Sequence, residues 1–137
     1  MTASIDSTGA GELAPALEEL LSGVAGLLLY RVQMRPTERF ASENGPEILH
    51  RHMLWLRERE QDGALFLCGP IGWGEGWDGS GMGVLRAGSL EAAREIAEQE
   101  PYHAAGLRQN EVASWTVNEG SLTVRVDLMR HGRGSLA

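Results

Sequence analysis

The chain has 137 residues, enough for one domain with a hydrophobic core, and 42% of them are hydrophobic, as in an ordinary globular protein. Its formal net charge of −7 argues against nucleic acid or an anionic membrane surface as a partner. Cys68 is the only cysteine, so no intrachain disulfide can form and a thiolate-rich metal site is excluded. Without a basic leader or a long apolar run, the sequence predicts a cytoplasmic protein that has no membrane span.

Residues 1–23 are predicted to form an N-terminal extension that contains a short amphipathic helix over 12–22. Gly23 is expected to end this helix. A surface helix of this kind typically covers an exposed edge or a dimer seam. Its apolar face would be made of four leucines: Leu13, Leu17, Leu20 and Leu21.

A domain over residues 24–130 follows, and its first strand is predicted over 24–34 from the alternation of side chains. The first helix of this domain should begin at Asn44, which offers a cap, with a proline in the first turn. It should end at Asp62–Gly63. A second strand is predicted over 64–68.

The segment 69–83 is rich in glycine but too irregular for a phosphate-binding motif. A third strand over 82–86 and a helix between Ser89 and Pro101 are expected after it.

A fourth strand over 112–117 completes the order βαββαβ, which is typical of a ferredoxin-like α+β fold. Four antiparallel strands in the order 4-1-3-2 are expected, with two helices on one face. Alternation over 122–128 predicts an extra strand at an edge, and residues 131–137 are predicted to be a flexible tail.

Five segments, in this order, resemble the YCII family. The resemblance implies a dimeric α/β barrel in which two four-stranded sheets meet around a pocket. It also implies a histidine in the first helix, matched by His52, and an aspartate before Pro-Tyr, where Glu100 stands instead. The longer glutamate side chain changes the geometry of that pair. The resembling segments are His52–Leu56, Asp62–Pro70, Ser89–Ala93, Glu100–Gly106 and Trp115.

His52 and Glu100 are the candidate catalytic residues. A carboxylate bound to one imidazole nitrogen fixes the tautomer and leaves the other nitrogen to move a proton near neutral pH. Such a dyad suits a substrate with an acidic proton beside a carbonyl or a quinoid ring. The alternative interpretation is a structural pair that ties one helix to another. His50 lies two residues from His52, so the two side chains point apart and cannot chelate a metal ion together.

Five further residues are candidates for substrate binding, each with an ordinary structural alternative. An arginine within a strand can hold an anionic group or lie along a sheet edge. Tryptophans in a glycine-rich loop can close over a flat ligand or pack across a dimer seam. Cys68 is interpreted as an inert core thiol. The five candidates are Arg31, Trp73, Trp77, His103 and Trp115.

The first functional hypothesis is a cofactor-independent lyase or isomerase that acts on a small cyclic or aromatic metabolite by proton transfer. The resemblance implies this class because some relatives eliminate chloride from chlorinated hydroxyquinol-type rings. The alternatives are a non-catalytic ligand-binding or assembly module and a cofactor-free monooxygenase. No cofactor and no metal are expected. The bare face of the sheet is predicted to pair with a second copy in a homodimer.

Overall fold

The computed structural model describes residues 14–125 and 128–129. It divides the chain into two compact units. One unit comprises residues 26–117, and the other comprises residues 1–25 together with 118–137.

The larger unit is built on a four-stranded antiparallel sheet in which the second, third, first and fourth strands along the chain lie side by side in that order. This is the predicted order 4-1-3-2, so the ferredoxin-like α+β fold is confirmed. Two main helices supply the βαββαβ arrangement; one single-turn helix precedes the first of them and another follows the second. The elements are β1 (Leu27–Pro36), α2 (Phe40–Glu43), α3 (Pro46–Gln61), β2 (Leu65–Pro70), β3 (Gly81–Leu85), α4 (Leu90–Glu98), α5 (Pro101–Ala104) and β4 (Arg108–Val117).

The alternation of β1 separates the two faces of the sheet. Tyr30, Val32 and Met34 are buried and form a core cluster with Ala93 and Ala97 of α4. Residues of odd number in β1 point to the opposite face, which we call the open face of the sheet. The open face carries several exposed apolar side chains.

Strand β1 begins and ends two to three residues later than predicted. Gly26, at φ 63°, lies in the left-handed region and separates the strand from the preceding segment. At the other end Pro36 pairs with Arg108, so β4 starts four residues before the predicted position. This extension places Arg108 on the helix-covered face, next to the site described below.

One prediction about a helix end was wrong. The N-cap of α3 is Gly45, and no side chain caps this helix. Asn44 instead ends α2, and its side chain accepts a hydrogen bond from Tyr102. Pro101 follows the end of α4 but also opens α5, because proline suits a first helical turn.

The smaller unit contains α1 (Ala14–Ser22) within its described residues, in agreement with the predicted helix. The Ala25 N–H donates to the Asn118 carbonyl at 2.9 Å. The predicted strand over 122–128 does not form across 122–125, and residues 126–127 lie outside the described residues. Leu122 and Val124 are 77% and 72% exposed. Alternation alone does not make a strand where no neighbouring strand supplies hydrogen bonds.

None of the described helices is long and apolar enough to cross a lipid bilayer.

Candidate active site

His52 lies on the buried side of α3, four residues after Ile48, so the two side chains share one face of the helix. Only 7% of His52 is exposed. Its ring stands 4.8 Å from the ring of Tyr102, centroid to centroid. A polar ring in such a position requires a buried partner.

That partner is Glu100, whose side chain is fully buried at the junction of α4 and α5. Glu100 is the N-cap of α5, and its Oε2 accepts the backbone N–H of His103 at 2.8 Å. The amide of Asn110 lies 3.4 Å from the same oxygen. The capping role fixes one carboxylate oxygen and turns the other toward α3.

His52 Nδ1 and Glu100 Oε1 are 2.5 Å apart. The contact lacks the direction of a linear hydrogen bond, and neither atom has another hydrogen-bond partner among the described residues. The negative charge of the carboxylate beside Nδ1 favours the tautomer with its proton on Nδ1, because a lone pair at this nitrogen would be repelled. The proton therefore belongs on the Nδ1 side of the ring, and Nε2 is left as the free nitrogen.

A cavity of about 560 Å³ opens beside this pair. Its wall is mainly apolar and aromatic, with a few polar groups converging on one side, as in sites for small organic molecules. All of its wall lies within the 26–117 unit. The lining residues are Met34, Asn44, Leu49, His52, Met53, Leu56, Cys68, Gly69, Pro70, Trp73, Trp77, Gly81, Tyr102 and Arg108.

Tyr102 supplies a fixed hydroxyl group to the cavity wall. Its hydroxyl donates to Asn44 Oδ1 at 2.5 Å, which links α5 to the end of α2. Burial raises the pKa of the Tyr102 hydroxyl, while Arg108 opposes the shift. Tyr102 therefore remains a protonated donor at neutral pH.

The glycine-rich loop brings both predicted tryptophans to the cavity. The rings of Trp73 and Trp77 are 5.1 Å apart, and Trp77 also meets the edge of Phe40 at 5.7 Å. Trp77 Nε1 donates to the Ser80 carbonyl at 2.9 Å, which closes the loop. Trp73 is 74% exposed and lies at the mouth of the cavity.

Gly79 anchors the same loop to the core. Its φ of 99° favours glycine, and a Cβ atom there would lie 2.5 Å from the ring of Phe40. The carbonyl of Gly79 accepts Arg108 Nε at 2.9 Å. A residue with a side chain at this position would separate the loop from both Phe40 and Arg108.

Cys68 is not the core thiol that its strand suggested, because the residue is exposed and lines the cavity. The protein around its sulfur nevertheless removes enough water to raise the pKa of the thiol, and Arg108 opposes this effect. The edge position of β2 explains the difference, since no strand of the described residues covers its outer side.

Three of the predicted binding residues do not reach this cavity. Arg31 and Trp115 lie on the open face, beside a shallow depression that Met82 also lines. His103 accepts the Asn110 N–H at its Nδ1, 3.1 Å away, so its ring is held against β4 and does not compete for Glu100. Tyr30 of β1 and Phe66 of β2, two aromatic residues, do not line the cavity either.

Arg108 is the functional candidate that sequence reasoning missed. It is 4% exposed and lines the cavity, with its guanidinium 4.5 Å from the ring of Tyr102. The pattern that could have revealed it is the alternation of β4, in which Arg108 and Asn110 share the helix-covered face with Val112. That pattern was hidden because the strand was predicted to start at residue 112.

A larger depression of about 680 Å³ lies at the start of α3, between Arg39, Glu47 and Arg51. It is wide open to solvent and does not reach His52 or Glu100. Among the described residues, no three histidine, cysteine or acidic side chains converge as a metal site would require.

The family model of the YCII-related domain matches residues 28–116, which is most of the chain. The chain belongs to the YCII-related domain family. Among solved structures, the fold is similar to 5-chloro-2-hydroxyhydroquinone dehydrochlorinase (TftG) from Burkholderia phenoliruptrix AC1100, in complex with 2,5-dihydroxybenzoquinone. The two are 19% identical with a TM-score of 0.51, over 64% of this chain and 92% of that chain. No curated protein sequence is significantly similar to this chain.

Proposed function

We propose that this protein is a cofactor-independent lyase or isomerase that moves a proton on a small cyclic or aromatic metabolite. The observation that carries the proposal is the fully buried Glu100, 2.5 Å from His52 Nδ1, beside a cavity that His52 itself lines. A merely structural pair would not need an adjoining cavity of about 560 Å³. In this arrangement Nε2 is the nitrogen available to a ligand.

His52 acts as the base and Glu100 as its positioning residue. Nε2 takes a proton from the substrate, and the imidazolium formed is stabilised by the carboxylate at Nδ1. General acid–base catalysis of this kind contributes roughly 10²–10⁴-fold in rate, which suits an activated C–H or O–H bond.

An elimination of hydrogen chloride illustrates the balance of such a reaction. In the keto tautomer of a chlorinated hydroxyquinol-type ring, the carbon that bears chlorine also carries a hydrogen atom. His52 removes a ring hydroxyl proton from this tautomer, and the electrons of the O–H bond form a carbonyl group. The adjacent ring double bond then shifts to the chlorine-bearing carbon, and chloride leaves with the electrons of the C–Cl bond. One proton and one chloride are released, so no external oxidant or reductant is required. The similarity in fold to a dehydrochlorinase supports this choice of reaction class.

The aromatic loop of Trp73 and Trp77 acts as a lid in this proposal. The Trp77 side is held by Ser80 and Phe40, whereas Trp73 is mostly exposed at the mouth of the cavity. A planar ring between Trp73 and the cavity wall would exclude water from the Nε2 side of His52.

Chloride release from 5-chloro-2-hydroxyhydroquinone under anaerobic conditions tests the proposal first, and deuterium exchange into cyclohexanone in D₂O tests the wider class. We expect His52→Ala to abolish the enzyme-dependent rate, Glu100→Gln to lower it by at least tenfold, and Glu100→Asp to keep most of it. His50→Ala is the matched control, because His50 is an exposed histidine on the same helix.

Ligand binding without turnover of any compound would point to a binding module instead. A rate that appears only with dioxygen would point to a monooxygenase. Either outcome contradicts the proposal.

We further propose that the protein is a homodimer whose subunits meet through the open face of the sheet. Leu67, Met82 and Trp115 on this face are 59%, 37% and 45% exposed, an apolar surface that a second copy would cover. Charged residues lie among them: Glu111 forms ion pairs with Arg31 at 3.9 Å and with Arg35 at 3.6 Å within the chain. A self-complementary mixture of this kind fits a twofold axis.

A further inference from the structure

Among the described residues that line the cavity, Arg108 is the only one whose side chain carries a permanent charge. It opens β4 directly after Gly106 and Leu107, and it pairs across the sheet with Pro36. Burying a guanidinium to 4% exposure is costly unless it is paired, so its position calls for an explanation.

The protein uses only part of the hydrogen-bonding capacity of Arg108. Nε donates to the Gly79 carbonyl at 2.9 Å, and Nη1 lies 3.8 Å from the sulfur of Met34. Glu100 Oε1 is 3.9 Å from Nη1, which is an ion-pair distance and too long for a hydrogen bond. No described residue accepts a hydrogen bond from Nη2. Nη2 is not sealed from solvent and Arg108 lines the cavity, so this nitrogen is the one available to a ligand.

Three aromatic rings hold the guanidinium in this direction. Its central carbon is 4.5 Å from the ring of Tyr102, 5.1 Å from Phe40 and 5.9 Å from Trp77. Distances of this size allow cation–π attraction without consuming any N–H group. Burial lowers the pKa of Arg108 and Glu100 opposes the shift, yet a guanidinium remains charged at neutral pH.

The negative charge of Glu100 does not cancel this cation for a ligand. The carboxylate is fully buried, with one oxygen turned to His52 and the other to the N–H of His103. The cavity wall therefore presents a fixed cationic donor and no anionic group. Such a wall selects ligands by charge as well as by shape.

We infer that Arg108 binds an anionic oxygen of the ligand, so that the cavity selects planar ring compounds bearing a carboxylate or an ionised ring hydroxyl. This assignment names a substrate class for the proposed function. Its relevance to catalysis rests on that proposed function. The alternative is that Arg108 only fastens the glycine-rich loop through Gly79. A fastener would not discriminate between ligands of different charge.

Isothermal titration of the full-length protein with benzoate and with benzamide tests the inference, because the two probes share shape and differ in charge. We expect benzoate to bind the wild-type protein about tenfold or more tightly than benzamide, as one charge-assisted hydrogen bond would give. Arg108→Gln should remove this preference, and Arg108→Lys should keep part of it.

Arg86→Gln is the matched control. Arg86 also lies over an aromatic ring, Phe66 at 4.5 Å, and also donates to a backbone carbonyl, that of Gly63. It lies outside the cavity wall, so this substitution removes the same charge and should leave the preference for benzoate intact.

Equal affinity of the wild-type protein for the two probes, or a preference retained in Arg108→Gln, would overturn the inference. If Arg108→Gln does not fold, side-chain NMR of the wild-type protein decides. The guanidinium resonances of Arg108 should shift with benzoate and stay in place with benzamide, and resonances unmoved by benzoate would also overturn the inference.

A failure of the Arg108 assignment can be distinguished from a failure of the proposed function. His52→Ala should lose proton transfer but keep the preference for benzoate. A charge preference in the absence of any turnover would leave the assignment of Arg108 standing while the proposed function fails. Turnover without a charge preference would overturn the assignment of Arg108 and leave the proposed function standing.

Discussion

The helix-covered face of the sheet buries Glu100, His52 and Arg108, whereas the open face leaves Met82 and Trp115 exposed. On the first face charged groups are withdrawn from water at a cost that packing alone does not require. On the second face apolar groups remain in water, where covering them would be favourable. The first arrangement is typical of a ligand site and the second of an interface between protein chains.

The difference matters because the same strand supplies both surfaces. In β4, Arg108 and Asn110 point to the cavity side, while Glu111 and Trp115 point to the open side or its rim. In β1, Met34 lines the cavity and Arg31 lies on the other face. Function is therefore divided between alternate residues, and a shift of the register by one residue would exchange the two surfaces.

The largest effect is expected from Glu100→Ala, which breaks the buried cluster. It removes the partner of His52 and the nearest anion to Arg108, and it also removes the cap of α5. We expect the free energy of unfolding to fall by about 3–5 kcal/mol, measured by urea denaturation, because a buried cation is left without its counter-charge.

Glu43→Ala is the control for this prediction, since Glu43 makes two short contacts to Arg39, at 2.6 and 2.8 Å, on the exposed surface of α2. Its loss should change stability little, because exposed ion pairs are screened by water. Equal effects of the two substitutions would show that the buried cluster contributes no more to stability than an exposed ion pair does.

A second, intermediate effect is expected on the open face. Met82 lies on the inner strand β3 and is paired with Gln33, so Met82→Glu places a charge within the apolar surface. We expect light scattering to show about twice the chain mass of 14.9 kDa for the wild-type protein and a dimer weakened at least tenfold in this variant.

Arg94→Glu introduces a glutamate on the outer side of α4, where residue 94 is exposed, and should leave the mass unchanged although it alters the net charge more than Met82→Glu does. A wild-type protein that stays at the mass of one chain at micromolar concentration would contradict the homodimer.

Much of the fold followed from local patterns in the sequence. Alternation in β1, the Ser89 cap of α4 and the Asp62–Gly63 stop are features of a few neighbouring residues, and they predicted the elements and the strand order. The Ser89 hydroxyl does accept the Ala92 N–H, at 3.0 Å. The strand predicted over 122–128 does not form across 122–125, because pairing with a distant strand cannot be predicted from a local pattern.

The site was harder to predict for a related reason. Alternation indicates that Arg31 shares a face with every second residue of β1, but it does not indicate which face the helices cover. Arg31 and Trp115 lie on the open face, away from the cavity that His52 lines. His52 and Glu100 came from the resemblance to a family, and Arg108 was missed because its place depends on where β4 begins.

The smallest effect concerns Cys68, which stands at the boundary between the two surfaces. Even-numbered Cys68 pairs with Gly83 and faces the cavity, while its neighbour Leu67 pairs with Val84 and faces the open side. Burial raises the pKa of the Cys68 thiol above its ordinary value of about 8.5, with Arg108 opposing the shift and Glu100 adding to it. The folded protein thus holds the thiol proton more tightly than the unfolded chain.

Two measurements should reveal this. Iodoacetamide reacts with the thiolate, so its rate with the folded protein should reach half of its maximum at a pH above 8.5, and bound benzoate should slow it.

The free energy of unfolding contributed by this group is fully present below about pH 8.5 and is lost as the pH rises toward the folded pKa, because the unfolded chain releases its proton first. The loss should be small, since the residue is exposed and water screens the effect. It should be absent in Cys68→Ser, whose hydroxyl does not ionise in this range. A folded thiol that reacts with a midpoint at or below 8.5 would mean that Arg108 outweighs burial at this sulfur, and the cavity would then be more strongly cationic than its wall of apolar and aromatic side chains suggests.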